Sequence, residues 1–337
     1  MRSLIIKTPF EVDIHESPIP IVGAGEVLLK LKYVGFCGSD LSSYKGNNPM
    51  VSYPRIPGHE VSGEIVGLGD DVPDHIVVGL NATVNPYSNC GKCSSCKRYR
   101  PNACQFNQTL GVQRDGAMSE YLVVHWKKII LADSLSPEKL VLVEPLTVGF
   151  HAVERGRVID FDCVVVFGCG LIGLGAVLAA VEKQAEIIVV DFDSKKLSLA
   201  KELGAKYVVN ASEVDVDEYF QEKFHGKIDV VIEASGSSAA FTSALKAVAF
   251  SGRVVCIGYT KEPILLESKL IIQKEIDLLG SRNALQADFD RVVRYLTTKK
   301  LPVEKLISRK ISMSESELAL KEWNANPNEI IKMVMSL

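Results

Sequence analysis

Val164-Val-Val-Phe-Gly-Cys-Gly-Leu-Ile-Gly173 decides the fold of this 337-residue chain. Val164 to Val166 read as a buried strand, β-branched and free of charge. Gly168, Gly170 and Gly173 follow at the spacing G-x-G-x-x-G, and an apolar helical pattern runs on through Ala180. Each glycine has its own task. Gly168 permits a tight turn, Gly170 lets the backbone approach a pyrophosphate, and Gly173 lets helix and strand pack closely. The first helical residues, Leu171 and Ile172 among them, offer free N–H groups and the positive end of the helix dipole to that pyrophosphate. A second strand, Glu186 to Asp191, then ends on a carboxylate. Asp191 is placed to accept both ribose hydroxyls of an adenosine and to repel a 2′-phosphate, and Lys195 and Lys196 come too late to reverse that. The cofactor implied is NAD. The uncharged run from Cys163 to Val181 is long enough to span a bilayer, but its glycines and strand-like start favour strand, turn and buried helix.

The bulk numbers set the frame. A chain of this length predicts two domains. Hydrophobic residues make up 47% and charged ones 23%, with a net charge of −3. That balance fits an ordinary globular protein and gives no footprint for nucleic acid or an acidic membrane. The first residues lack the apolar core and cleavage site of a signal peptide. Four of the eight cysteines cluster at metal-ligand spacing, so a reduced, cytoplasmic protein is expected.

Along the chain, short strands are predicted at Leu4–Ile6, Val12–Ile14 and Glu26–Tyr33. Gly35-Phe-Cys-Gly-Ser-Asp40 and Pro57-Gly-His-Glu60 then place Cys37, His59 and Glu60 within reach of a catalytic zinc with an open position. Asp40 is a candidate to orient the His59 ring. Strands are expected over Ser62–Gly69 and Val77–Val84. Cys90, Cys93, Cys96 and Cys104 follow at the spacing C-x₂-C-x₂-C-x₇-C of a closed structural zinc lobe. An iron–sulfur cluster and a nucleic-acid finger are the rival readings. Lys97, Arg98 and Arg100 suit the latter, but no second finger, recognition helix or basic charge accompanies them. Gly111 to Val124 suggests a further β-unit. Val143-Glu-Pro-Leu146 opens a helical run in which Glu144, before Pro145, is expected to be extended and free to point into a site. As a residue taken alone, Glu144 reads better as an acid stabilising a helix N-terminus.

Beyond the glycine loop, helices at Lys195–Leu203 and Ala239–Ala249 alternate with strands at Tyr207–Asn210, Asp229–Glu233, Arg253–Gly258 and Ile276–Gly280, which predicts a doubly wound parallel sheet. The tail is expected to hold one helix, Phe289–Thr298, and a strand at Ile330–Met335 that returns to the N-terminal unit.

Taken together these stretches resemble the zinc-containing medium-chain dehydrogenases, the alcohol and polyol dehydrogenase family. The resemblance covers the whole chain. It implies an α/β protein: a Rossmann doubly wound parallel sheet plus a β-rich GroES-like catalytic domain with a structural zinc lobe at about residues 86–106. The implied boundaries are 1–146 for the catalytic domain, 147–284 for the NAD-binding domain and 285–337 for the return. It also implies two zinc ions per chain, and it turns Glu144 towards the catalytic zinc, directly or through water. Asn47–Pro54, Gly111–Gly116 and Gly280–Asn283 look similar to bacterial enzymes that oxidise hexonates such as L-galactonate.

The implied reaction is oxidation of a secondary alcohol to a ketone, with zinc as Lewis acid, NAD as hydride acceptor and Ser39 taking the first hydrogen bond. Arg282 either reaches the substrate or ties the domains together. The family often has histidine where this chain has Ser42, so the proton relay runs through Ser39, water and ribose, or Tyr44 takes it over. Alternatives are an L-threonine or small diol dehydrogenase, or a non-catalytic NAD- and zinc-dependent regulator. A homodimer or homotetramer is expected, with the Rossmann unit's edge strand near Arg253 to Tyr259 and beyond as its interface and no nucleic-acid or membrane partner.

Overall fold

The computed structural model describes residues 1–260 and 263–337 and divides into two compact units, Met1–Glu144 with Leu285–Leu337, and Pro145–Ala284. The first unit opens with a hairpin of β1 (Arg2–Thr8) and β2 (Glu11–Glu16). Its main sheet is built on β3 (Glu26–Phe36), in which Val27, Leu29 and Leu31 are buried while Lys30 is exposed, as alternation across a pleat requires; an irregularity between Leu31 and Tyr33 then shifts the buried set to Val34. β3 pairs antiparallel with β4 (Glu60–Leu68), which pairs with β5 (Asn81–Val84), which pairs with β7 (Ile129–Leu131); β6 (Tyr121–His125) pairs with β3. The strand expected from Val77 is shorter, because Val77 and Val78 are exposed in a turn before Asn81. The β-unit expected at Gly111–Val124 is mostly turn, with regular pairing only from Tyr121.

The second unit is a six-stranded, all-parallel sheet. β8 (Cys163–Phe167), β9 (Glu186–Asp191), β10 (Tyr207–Asn210), β11 (Val230–Glu233), β12 (Arg253–Cys256) and β13 (Asp277–Gly280) lie in the order β10-β9-β8-β11-β12-β13. That is the dinucleotide-binding order 3-2-1-4-5-6, whose reversal point opens a crevice beside the first strand. All five residues of β8 are buried, as befits a strand covered on both faces. The apolar run after it breaks into this strand, a loop and the helix Leu171–Glu182; none of the described helices is long and apolar enough to cross a membrane. The sheet's edges are β10 and β13; the segment from Arg253 is not an edge strand but lies between β11 and β13. The helices Val216–Phe224 and Ser268–Lys274 were not apparent from sequence.

The tail holds more than one helix: Gln286–Thr298, Val303–Leu306 and Ser316–Ala325. β14 (Arg309–Ser312) and β15 (Met333–Ser336) then complete the first unit's sheet, β15 running antiparallel to β3 with Met333 opposite Phe36.

Gly168 takes φ +95°, and a Cβ on Gly173 would stand 1.9 Å from its carbonyl oxygen. Gly173→Ala is therefore expected to lower stability by about 1–3 kcal/mol or more, the range for overpacking a tight contact. Thermal unfolding measures it, and an unchanged midpoint would show that the loop can relax around a methyl group.

Candidate metal centre and dinucleotide loop

Cys37 sits at the end of β3, immediately before the short helix Gly38–Tyr44, and His59 and Glu60 sit at the start of β4. Antiparallel pairing places Gly35 opposite Glu60, and this brings the two ligand-bearing segments together. Gly35 has to be glycine: a Cβ there would lie 2.0 Å from Glu60 Oε2. One ligand atom each from Cys37, His59 and Glu60 falls within 4.8 Å of the others.

Asp40 is buried, and its carboxylate accepts from the Cys37 amide at 2.8 Å and from the Gly58 amide at 3.1 Å. It thus locks the backbone of both segments and does not hydrogen-bond the His59 ring, contrary to the sequence expectation. The reason is local: as the third residue of the helix, Asp40 reaches back to the amide at its start. Burial raises its pKa, while nearby His59 opposes the shift. Burial works against a charged His59, but Cys37, Asp40 and Glu144 outweigh it and hold the ring's pKa well above its usual value. His59 Nδ1 and Ser39 Oγ are buried and meet no protein hydrogen-bond partner.

Two residues of this centre were not anticipated. Lys332, just before β15, is 5% exposed and donates to Glu60 Oε1 at 2.6 Å, Glu60 Oε2 at 2.7 Å and the Phe36 carbonyl at 2.9 Å. Burial alone would lower its pKa; Glu60, Cys37 and Glu144 reverse that and keep it charged. A lone lysine inside the apolar run Ile330–Met335 was the available signal. Tyr87 is also buried, and its hydroxyl donates a short hydrogen bond to Glu144 Oε1. Nothing in the sequence marked Tyr87.

Glu144 is not extended. It lies in the first turn of the helix Val143–Arg155, where Pro145 is tolerated because first-turn amides need no helical partner. Its carboxylate is buried and its pKa raised by that burial and by Glu60, with His59, Tyr87 and Lys332 opposing. Tyr44, by contrast, belongs to the apolar core of the first unit, edge-on to Phe10 at 5.3 Å, and its charged neighbours are Lys321 and Glu317. That placement removes it from the expected proton relay. Arg282 follows β13 in the second unit, half-buried.

The ligand atoms of Cys90, Cys93, Cys96 and Cys104 form the other cluster, again within 4.8 Å. The Cys93 sulfur stands 3.5 Å from that of Cys96 and 3.8 Å from that of Cys104. A disulfide needs about 2.05 Å, whereas a tetrahedral zinc with sulfurs at about 2.3 Å spaces them near 3.8 Å. All eight cysteines are unpaired. Amides of Cys90 and Phe106 donate to Cys104 Sγ, and the Cys93 amide to Cys90 Sγ, each at 3.3 Å. Such donors favour thiolates. Both donor sets fit zinc.

In the second unit Gly170 caps the helix Leu171–Glu182, and nothing lies within 4 Å of where its Cβ would be, leaving room for a close ligand. Asp191 ends β9 beside this loop, its carboxylate accepting from the Cys169 amide at 2.6 Å and the Asp193 amide at 3.0 Å. Glu233, unremarked in the sequence, ends β11 and accepts from the amides of Ser235 and Gly236, shaping the turn that faces Gly168.

This geometry defines a zinc- and dinucleotide-binding oxidoreductase. The alcohol dehydrogenase GroES-like domain model matches residues 23–134 and the zinc-binding dehydrogenase model residues 172–298. The chain is 34% identical to the L-galactonate-5-dehydrogenase of Escherichia coli K12, over all of this chain and 99% of that one. It is also 34% identical to the sorbitol dehydrogenase of Halalkalibacterium halodurans, over 96% and 95%. Among solved structures, a short chain alcohol dehydrogenase of E. coli CFT073 complexed with NADH superposes with a TM-score of 0.93 at 31% identity, covering 100% and 99% of the chains. The chain belongs to the zinc-type medium-chain alcohol dehydrogenase family, among polyol and sugar-acid dehydrogenases.

Lys332→Met strands the buried Glu60 carboxylate and is expected to destabilise the protein by about 3–5 kcal/mol. Adding Glu60→Gln should recover part of the loss, because the stranded charge is gone. Urea unfolding of the zinc-loaded proteins reads both; a single variant as stable as the parent would show that the pair is not needed. Metal analysis should find about two zinc ions per chain, falling to about one in Cys93→Ser.

Proposed function

We propose that the chain oxidises a secondary hydroxyl of a polyol or sugar acid, a hexonate such as L-galactonate, to a ketone with NAD. The observation that carries this reading is a thiol, an imidazole and a carboxylate, those of Cys37, His59 and Glu60, whose ligand atoms lie within 4.8 Å of one another, with the buried Glu144 carboxylate interacting with His59 and Glu60. Relatedness to an L-galactonate-5-dehydrogenase supports the substrate class.

Zinc would be held by Cys37, His59 and Glu144, and would supply Lewis-acid polarisation of the substrate hydroxyl. Glu60, whose ligand atom also lies within 4.8 Å of those of Cys37 and His59, is held on both oxygens by Lys332 and is the alternative third ligand. Charge favours Glu144: the Cys37 thiolate and the Glu144 carboxylate balance a dication, while Lys332 neutralises Glu60. Ser39 accepts the substrate proton's hydrogen bond and starts its path to solvent. Tyr87 fixes the orientation of Glu144. Gly168, Gly170, Leu171, Ile172 and Gly173 cradle the pyrophosphate, and Asp191 takes the ribose hydroxyls in preference to a 2′-phosphate. Arg282 meets the hydroxyl or carboxylate groups of the substrate by bidentate hydrogen bonds. A cytoplasmic location suits eight unpaired cysteines, and a homodimer or homotetramer is the expected assembly.

The test is NADH formation across hexonates, hexitols, L-threonine and short diols, with and without a zinc chelator. Chelator-sensitive oxidation is expected with a hexonate or hexitol. Cys37→Ser should abolish turnover while NAD binding, read by fluorescence, persists. Turnover confined to L-threonine or a diol would transfer the substrate assignment, and full activity in Cys37→Ser would overturn the metal assignment.

A further inference from the structure

Arg114 and Lys128 are two half-buried cations that form no ion pair among the described residues. Arg114 closes the turn that begins at Gly111, whose amide donates to the Arg114 carbonyl at 2.9 Å. That turn is laid against the strand-entry segment of the metal centre: Gly116 donates to Ile56 at 2.7 Å and Ala117 to Gly58 at 2.9 Å, directly before His59. The Arg114 guanidinium makes one long contact, Nη2 to the Pro86 carbonyl at 3.4 Å, and its Nε is buried with no partner. Lys128 Nζ donates to the next carbonyl, that of Tyr87, at 2.5 Å, while the Asn85 amide returns to the Lys128 carbonyl at 2.8 Å.

Both cations therefore flank the segment 85–87. At the far end of the Tyr87 side chain its hydroxyl contacts Glu144. The chain carries 41 acidic residues against 38 lysines and arginines, yet neither Arg114 nor Lys128 forms an ion pair among the described residues. Burial lowers the pKa of both, and Arg114 lowers that of Lys128 further. Placing two like charges near each other at half-buried positions is unfavourable, and an anion between them would relieve it. Arg and Lys are also the side chains suited to grip a carboxylate or phosphoryl group.

We propose that Arg114 and Lys128 form an anion subsite that takes the carboxylate or phosphoryl group of the substrate, beside the segment whose Tyr87 hydroxyl contacts Glu144. This rests on the reading of the chain as a polyol or sugar-acid dehydrogenase and narrows its substrate to one with an anionic end.

The experiment is calorimetric titration of the zinc-loaded protein with D-gluconate, D-glucitol 6-phosphate, inorganic phosphate and neutral D-glucitol, repeated for Arg114→Gln, Lys128→Gln and Lys128→Arg. The anionic probes are expected to bind the parent more tightly than D-glucitol. Each Gln variant should weaken them by about tenfold or more, the loss of one charge-assisted hydrogen bond, with a smaller change for D-glucitol. Lys128→Arg should restore most of the affinity. Preference for gluconate identifies a sugar acid, and preference for the 6-phosphate a sugar phosphate. Either Gln variant binding anions as the parent does, D-glucitol weakening equally, or binding of inorganic phosphate alone would overturn the subsite. If a Gln variant fails to fold, Lys128→Arg decides by keeping or losing the anion preference. Oxidation of a hexonate with unchanged anion affinity in the variants would sink the subsite and leave the dehydrogenase reading standing. Anion binding lost in the variants, with no alcohol oxidised by the parent, would do the reverse.

Discussion

The buried ammonium of Lys332 is the constraint on which the metal centre depends. It binds both oxygens of Glu60, the residue after His59, and the carbonyl of Phe36, the residue before Cys37. One side chain therefore ties together the two segments that present the thiolate and the imidazole. A charge taken this far from water is tolerable only with its hydrogen bonds made, and here three are made. Asp40 also ties the two segments, accepting from the amides of Cys37 and Gly58. Lys332 and Asp40 thus both bridge the same pair of segments, and Gly35 supplies the space in which Glu60 can lie.

The second unit works by different means. Its sheet is apolar and covered, with β8 buried throughout, and its ligand loop is shaped mainly by backbone. Asp191 and Glu233, at the ends of β9 and β11, both turn their carboxylates onto backbone amides near the glycine loop. Rigid strands end there and the short turns after them are fixed by acid-to-amide hydrogen bonds, which are stronger than neutral ones.

Local signals explain what was legible in the sequence. The glycine spacing, the four-cysteine spacing and the β-branched runs act over a few residues, so the Rossmann unit and the zinc lobe could be read directly. Cys37, His59 and Glu60 were readable as candidate ligands, and the structure brings their ligand atoms within 4.8 Å of one another. Their supports were not. Asp40 was expected to reach the ring, but a side chain three residues into a helix satisfies the helix start first. Glu144 was expected to be extended before Pro145, but first-turn geometry overrode that preference. Tyr44 lies only a few residues from the ligands, yet the helix that carries it turns it into the core beside Phe10. Lys332 and Tyr87 act on partners far along the chain, which no local pattern encodes. The tail's extra helices were missed because the run after residue 300 is mixed in polarity and its periodicity is weak.

The separation between Lys332 and Glu60 is 272 residues, and it sets an order of events during synthesis. Cys37, His59 and all four lobe cysteines leave the ribosome long before the lysine that closes the pair with Glu60. The second unit is one continuous segment and can fold as soon as it has emerged. The first unit is split around it, and its sheet stays without β15 until the last strand arrives. For most of translation Glu60 lacks its lysine partner, and β3 exposes the edge that β15 will cover. Such late, long-range closure is the slow and aggregation-exposed step of a folding pathway. The nascent chain thus carries its candidate metal ligands well before it carries the lysine that ties their two segments together.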